Sequence, residues 1–231
     1  MARIVKEPTA RRNEILAVAQ HLIYTKGYEQ MTIQDILDIL QISKGAFYHY
    51  FGSKQALLEA LIERLQDEVE KVLSPLVDDP ELGALVKLQR FFPQLSNWKT
   101  EHRTFLLTLM RVLYSDDNAI FRQKVRVRVI KRVTPLLATI IRQGIQEGVL
   151  TTTYPDQVGE LLVSLGWDLG DTLAGLLLSS EPGRDDFPRA LSTVAAYTDA
   201  LERVLAAPSG SLSIIDPQML QQWFVVPEEH A

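Results

Sequence analysis

The chain has 231 residues, of which 46 % are hydrophobic and 23 % charged, ordinary values for a globular protein able to bury a core. It contains no cysteine, which removes disulfides, thiolate nucleophiles and zinc fingers from consideration. A net charge of −5 argues against a surface coated in positive charge for indiscriminate nucleic-acid binding. The charge is uneven, however. Residues 1–55 carry seven Lys/Arg against five Asp/Glu, while the remainder carries 17 against 24. A basic head on an acidic body suits DNA contact through one end. The N-terminus lacks an apolar segment with a small-residue cleavage site, and the apolar stretch Val158–Leu178 is interrupted by Asp168 and Asp171. A cytoplasmic protein with no membrane partner is expected.

Helical periodicity dominates and no strand alternation extends far, which predicts an all-α fold. The first helix is expected over 10–26, with Thr9 as N-cap and Gly27 as its stop. Thr32 opens a second helix that ends near Leu40, with Met31 and Ile36 at staple positions across its start. Ser43 caps a third, with Ile42 and Phe47 in the same arrangement. Gly52 breaks it and Ser53 caps a fourth, expected to reach Leu73 and to be closed by Pro75 and the Asp78-Asp79-Pro80 cluster. Further helices are predicted at 81–97, 101–114, 118–147, 155–179 and 187–206. The alternation Val125-Arg126-Val127-Arg128-Val129 belongs to a helix, because Val125, Val129, Val133, Leu136 and Ile140 continue it at helical spacing. Pro135 is expected to kink that helix. Pro208-Ser209-Gly210-Ser211 is read as a linker to a tail with one short helix, 217–224.

The second and third helices are too short to be stable alone and must pack on the first and on the start of the fourth. A short helix, a tight turn and a second short helix rich in polar and aromatic residues is the arrangement that enters a DNA major groove. The run Ser43-Lys44-Gly45-Ala46-Phe47-Tyr48-His49-Tyr50-Phe51-Gly52-Ser53-Lys54-Gln55-Ala56-Leu57 resembles the recognition-helix signature of TetR-family regulators. The preceding Gly27-Tyr28-Glu29-Gln30-Met31-Thr32-Ile33-Gln34-Asp35-Ile36 is similar to that family's entry into its second helix. The resemblance covers residues 10–58. Beyond them the body is similar only in being helical and of suitable length.

The chemistry of each position agrees with that resemblance. Gly45 has no side chain, so a base or phosphate can come close. Lys44 can reach guanine acceptors or a phosphate, and Ala46 a thymine methyl. Tyr48 and His49 suit phosphate oxygens, with Tyr50 an alternative to His49 as the residue facing DNA. Thr32 and Lys54 stand at helix N-termini, where free amides favour a phosphate. Gln34 and Ser43 complete the candidate DNA contacts. Phe47 and Phe51 read as the small core behind them.

In the body, the helix at 155–179 combines an aliphatic stripe with a small-residue stripe, Gly159, Gly166, Gly170 and Ala174. The helix at 187–206 spaces Leu191, Val194, Thr198, Leu201 and Leu205 as a coiled-coil-like seam. Two such helices from each of two subunits make a four-helix interface, the homodimer that the resemblance also implies. Intramolecular core is the alternative for the same positions, and the dimer is the reading preferred because a helix-turn-helix gains specificity from two-fold symmetry. Trp98, His102, Phe105, Met110 and Trp167 offer pocket surface for a small-molecule effector. Arg122 and Arg126 share a helix face with Val129, Val133 and Ile140, where an anionic or polar ligand, an interdomain salt bridge or snorkelling would account for them. Asp168 and Asp171 read as a solvated face.

The domains expected are a helix-turn-helix head (1–54), an effector-binding and dimerisation body (55–207) and a tail (208–231). The function expected is that of a dimeric regulator of double-stranded operator DNA, a repressor released by an effector; control by a protein partner is the alternative. Neither the four histidines (His21, His49, His102, His230) nor the scattered acids form a catalytic order, metal motif or phosphate loop, so no enzyme, metal or cofactor is expected.

Overall fold

In the computed structural model, residues 8–179 and 186–224 are described. Arg3 and Lys6 of the expected head, and the end of the expected tail with His230, lie outside the described residues. The described chain is helical throughout: α1 (Pro8–Lys26), α2 (Ile33–Leu40), α3 (Lys44–Tyr50), α4 (Lys54–Asp78), α5 (Ala84–Glu101), α6 (Arg103–Leu113), α7 (Ala119–Gln146), α8 (Pro155–Leu177), α9 (Asp186–Leu205) and α10 (Pro217–Phe224). A 3-10 turn, Asp116–Asn118, precedes α7. The all-α expectation holds, and the valine alternation at 125–129 is helical.

The chain forms two compact units. The first runs through Asp67 and includes Thr104–Ser115; the second comprises Glu68–Arg103 and the residues from Asp116 onward. The first unit therefore takes in more chain than the expected head of 54 residues. The early turns of α4 belong to it, with Leu57, Leu58, Leu61, Ile62 and Leu65 all buried, and so do Phe105, Leu109 and Val112 of α6. α4 is one continuous helix that contributes residues to both units.

Of the boundaries that differ from expectation, three have a visible cause. Thr9 lies inside α1, whose first residue is Pro8, a residue suited to a helix start because it has no amide hydrogen to leave unpaired. Pro75 does not close α4, which continues to Asp78. Leu76 and Val77 are buried, and the Val77 carbonyl near the end of α4 accepts a 2.7 Å hydrogen bond from the buried Lys87 ammonium. That packing holds one more turn beyond the proline. α5 starts at Ala84 rather than Glu81. Its N-cap, Gly83, has no side chain to cap with, and the Glu147 carboxylate from the end of α7 does so instead, accepting from the Ala84 amide at 2.8 Å.

In the second unit α7, α8 and α9 are packed around Leu137, Ile140, Ile141, Leu162, Leu169, Leu173, Val194, Leu201 and Leu205. Gly159 allows α8 to approach α7: a Cβ there would lie 3.2 Å from the Ala138 nitrogen and the Thr134 oxygen.

The segment from Pro208 is more than a linker and tail. Leu212, Ile214 and Leu220 are buried in the second unit's core. Gln89 and Ser96 of α5 donate to the carbonyls of Ser211 and Ile214, and the Trp223 indole donates to Thr100. Glu202 is buried, and its two carboxylate oxygens accept from the amides of Gly210 (2.9 Å) and Leu212 (2.8 Å). The carboxylate thus satisfies two backbone donors that the turn at 208–212 would otherwise leave unpaired. Glu202→Ala removes both acceptors and is expected to cost about 1–3 kcal/mol, mostly from the stranded buried Leu212 amide, since Gly210 is exposed. Chemical denaturation checks this; an unchanged midpoint would mean that the strap is not held by Glu202.

Candidate nucleic-acid interface

α2 has eight residues and α3 seven, each tied down at its start. At α2 the tie is a reciprocal capping box. Thr32 Oγ1 accepts from the Asp35 amide at 3.1 Å, while Asp35 Oδ2 accepts from the Thr32 amide and hydroxyl, both at 2.9 Å. Lys26, in the last turn of α1, donates to Asp35 Oδ1 at 2.8 Å, joining the end of one helix to the start of the next. Between them Gly27 takes φ +82°, a conformation glycine adopts without strain. Met31 and Ile36 are both buried across the cap, as the staple expectation requires.

The turn from α2 to α3 is short. Gln41 is left-handed (φ 51°) and the amides of Gln41 and Ile42 both return to the Leu37 carbonyl. Ser43 then caps α3 through a 3.2 Å bond from the Ala46 amide, and Ser53 caps α4 through a 3.0 Å bond from Ala56. Phe47 is fully buried, its ring 5.9 Å from that of the buried Phe51 and 5.5 Å from Tyr48. The aromatic pair assigned to the core is therefore in the core.

With Phe47 inward, α3 turns Lys44, Gly45, Tyr48 and His49 to solvent, with Ala46 and Tyr50 half-buried. Of the two alternatives, His49 is the more exposed; its ring stands 5.0 Å from that of Tyr50. Gly45 is open: a Cβ would meet only Ser43 Oγ, at 4.0 Å. No contact within the described chain calls for a glycine there. Gln34, exposed on α2, donates to Asp38 at 2.7 Å. Lys54 is already engaged, its ammonium 4.4 Å from the centre of the Tyr28 ring and donating to the Glu29 carbonyl at 3.2 Å. Thr32 likewise has its hydroxyl committed to the capping box. Tyr28 was not singled out in the sequence, where only its place before α2 marked it.

The head residues match the family model of bacterial regulatory proteins of the tetR family over 15–61, and residues 108–172 match a tetracyclin repressor-like C-terminal domain. The chain belongs to the TetR family. Members of that family are DNA-binding transcription regulators, not enzymes. The second match extends the likeness into the body, where the sequence alone carried little of it. The HTH-type transcriptional repressor NemR of Escherichia coli K12 is 29 % identical over 93 residues, 40 % of this chain and 47 % of NemR, so the chain spans about half the length of that relative. The HTH-type transcriptional repressor KstR2 of Mycobacterium tuberculosis H37Rv is 27 % identical over 152 residues, 64 % of this chain and 73 % of KstR2. A TetR-family regulator from Pectobacterium atrosepticum shares the fold, with a TM-score of 0.62 at 21 % identity, covering 89 % of this chain and all of that one.

The remaining candidate residues of this TetR-family chain fall into two groups. Of the effector set, Phe105 and Met110 lie in the first unit, whereas Trp98, His102, Arg122, Arg126 and Trp167 lie in the second. Phe105 lines an open concavity of about 270 Å³ with Ala17, Gln20, His21 and Tyr24. Trp98 and His102 stack on each other at 4.4 Å, with His102 Nδ1 2.8 Å from the Trp98 carbonyl oxygen. Arg122, Arg126 and Trp167 are half-buried.

Of the dimer set, Gly159 packs against α7, and Val194, Leu201 and Leu205 are buried in the chain's own core, so these four serve the fold. Gly166 and Gly170 face open space, and Leu191 and Thr198 keep partial exposure. Asp168 is more than a solvated acid, because it accepts a hydrogen bond from the Tyr197 hydroxyl of α9. Among the described residues no group of acids and histidines could hold a metal ion, and no helix is long and apolar enough to cross a membrane.

The hydrogen bond from Lys26, followed by those from the Thr32 amide and hydroxyl, lowers the Asp35 carboxyl to about 2. A depressed carboxylate contributes stability that is complete above its unfolded value, near 4, and is lost as pH falls through the folded one. The melting temperature of the first unit is therefore expected to keep Asp35's contribution from pH 7 to 5 and to lose it between about pH 4 and pH 2. Asp35→Asn should remove that acid-limb contribution. If wild type and variant show the same acid limb, Asp35 does not hold the α1–α2 junction.

Proposed function

We propose that this chain is a homodimeric repressor that places α3 of each subunit in successive major grooves of a two-fold symmetric operator and leaves the DNA when the body binds a small effector. The observation that carries the DNA reading is the solvent face of α3. An exposed glycine that no contact within the described chain calls for stands between a lysine and a tyrosine on a helix whose other face is locked by Phe47. Such a face fits close approach by a groove, with Lys44 reading a guanine edge and Tyr48 and His49 holding phosphates. The repressor relatives support the same reading. Two-fold symmetry places heads roughly 34–36 Å apart on the duplex. A protein of this kind works where the operator is, in the cytoplasm.

For the dimer, Gly166 and Gly170 lie on one stripe of α8, and a Cβ at either would meet no atom within 4 Å, while Leu191 and Thr198 of α9 keep partial exposure. Backbone can approach backbone there. Gly170→Trp is expected to give a folded monomer at micromolar concentration in sedimentation velocity, while Leu201 and Leu205 report on folding instead. A fully dimeric Gly170→Trp would move the interface elsewhere.

The effector is an apolar molecule with an acidic group, received by the half-buried Arg122 and Arg126 of α7. The second unit also holds the end of α4, whose N-terminus follows the recognition helix. A ligand favouring the DNA-incompetent arrangement would act through that helix, with a coupling of about 1–3 kcal/mol.

Selection of duplexes from a random pool should return a pseudo-palindrome, and Lys44→Ala should weaken binding and relax preference at one position per half-site. A panel of small aromatic carboxylic acids should contain members that raise the melting temperature and release the selected duplex, with Arg122→Ala and Arg126→Ala blunting release. Recovery of no motif contradicts the DNA reading. Ligand-driven release unchanged in both variants contradicts only the role of the arginines.

A further inference from the structure

The described basic side chains of residues 8–55 divide into two kinds. Arg11 is paired with Glu14 at 2.8 Å and Lys26 with Asp35 at 2.8 Å, so each charge is cancelled locally. The other three lie over aromatic rings. The Arg12 guanidinium is 5.3 Å from the centre of Phe51, the Lys44 ammonium 6.0 Å from Tyr48, and the Lys54 ammonium 4.4 Å from Tyr28. A ring face attracts a cation through its quadrupole but carries no net charge, so it orders the side chain and leaves the full positive charge in place. A carboxylate orders the side chain and removes the charge. The rings are not scattered. Tyr48 lies in α3, Phe51 is its C-cap, and Tyr28 precedes α2.

We infer that Arg12 is a DNA-backbone contact positioned by Phe51, and that Arg12 and Lys54 are the ring-held cations through which the described head engages phosphate, while Lys44, held in the same way, keeps its charge for the guanine edge. Arg12 is seated at the C-terminal end of α3. Lys44 stands at the N-terminal end of the same helix, and Lys54 begins the next. Among the described residues Arg12 has no carboxylate partner, and Phe51 is buried to 3 % exposure, so the seat is rigid. No described residue accepts a hydrogen bond from the guanidinium, whose five donors suit phosphate oxygens. Arg11, its neighbour in sequence, makes no such contact because Glu14 occupies it. The inference rests on the operator reading above and adds a residue and a rule of selection to it.

The test uses the full-length protein and one selected duplex, with dissociation constants measured across a potassium chloride series. Each phosphate neutralised contributes about 0.9 to the slope of log affinity against log salt. Arg12→Ala is expected to lower the slope by about 0.9 for every phosphate that Arg12 neutralises in the wild-type complex. It should also weaken binding by the same factor on the selected duplex and on a scrambled one. Arg11→Ala should leave the slope at the wild-type value. Arg12→Lys, which retains a charge able to lie on the ring, should restore most of the slope. The inference is overturned if Arg12→Ala keeps the wild-type slope, if Arg11→Ala lowers it equally, or if Arg12→Lys fails to restore it. Failure of the wild-type protein to bind any duplex would strike the operator reading instead.

Discussion

A helix of seven residues has almost no stability of its own in water, because the cost of its first turn is recovered only over many more. α3 is such a helix, and its solvent face is the surface proposed to meet DNA. Its order therefore comes from outside its own hydrogen bonds. Phe47 supplies most of it, fully buried beside Phe51, so that rotation of α3 about its axis would expose an aromatic ring. Burying a side chain of this size contributes roughly 1.5–3 kcal/mol, comparable to everything α3 can gain from caps and backbone bonds. The caps then set the ends: Ser43 at the start, and the Phe51 amide returning to the Phe47 carbonyl at 3.0 Å.

The same dependence explains why the polar residues around α3 are arranged as they are. The α1–α2 junction is closed by one carboxylate, Asp35, that receives the Thr32 amide, the Thr32 hydroxyl and the Lys26 ammonium. Lys54 ties the start of α4 back to that junction through Tyr28 and the Glu29 carbonyl. Lys26 loses its charge to the Asp35 carboxylate, whereas Arg12, Lys44 and Lys54 keep theirs over ring faces around the helix proposed to meet DNA. A small basic excess thus becomes a directed one. The acidic remainder of the chain does not oppose this so long as the uncancelled cations are the ones presented.

Much of this was legible in the sequence because it is written in local signals. Capping residues at Thr32, Ser43 and Ser53, a glycine stop at Gly27 and the spacing of Phe47 and Phe51 act within a few residues, and the structure uses each as expected. What was not legible depends on residues far apart in the chain. Pro75 read as a helix end because the buried Lys87, which caps the Val77 carbonyl, lies on another helix. The turn at 208–212 read as a linker because nothing local reveals that Glu202 will hold its amides. Leu201 and Leu205 read as an intermolecular seam because periodicity reports that a face is apolar, not what covers it. Arg12 and Tyr28 carried no signal, since a cation over a ring requires a contact that sequence spacing does not predict. The body's likeness to the family likewise emerged only from the match over 108–172.

A recognition helix held by Phe47 and its caps is built before DNA arrives. Amide hydrogen exchange of the free protein, read residue by residue over 43–51, distinguishes this from a helix that DNA folds. The Phe47 and Phe51 amides should be protected in the absence of DNA to the same degree as the buried turns of α1. Addition of a selected duplex should then raise that protection only modestly. Exchange of these amides at the rate of an unstructured peptide, with protection arising only on the duplex, would mean that DNA folds the helix and would contradict a preformed α3.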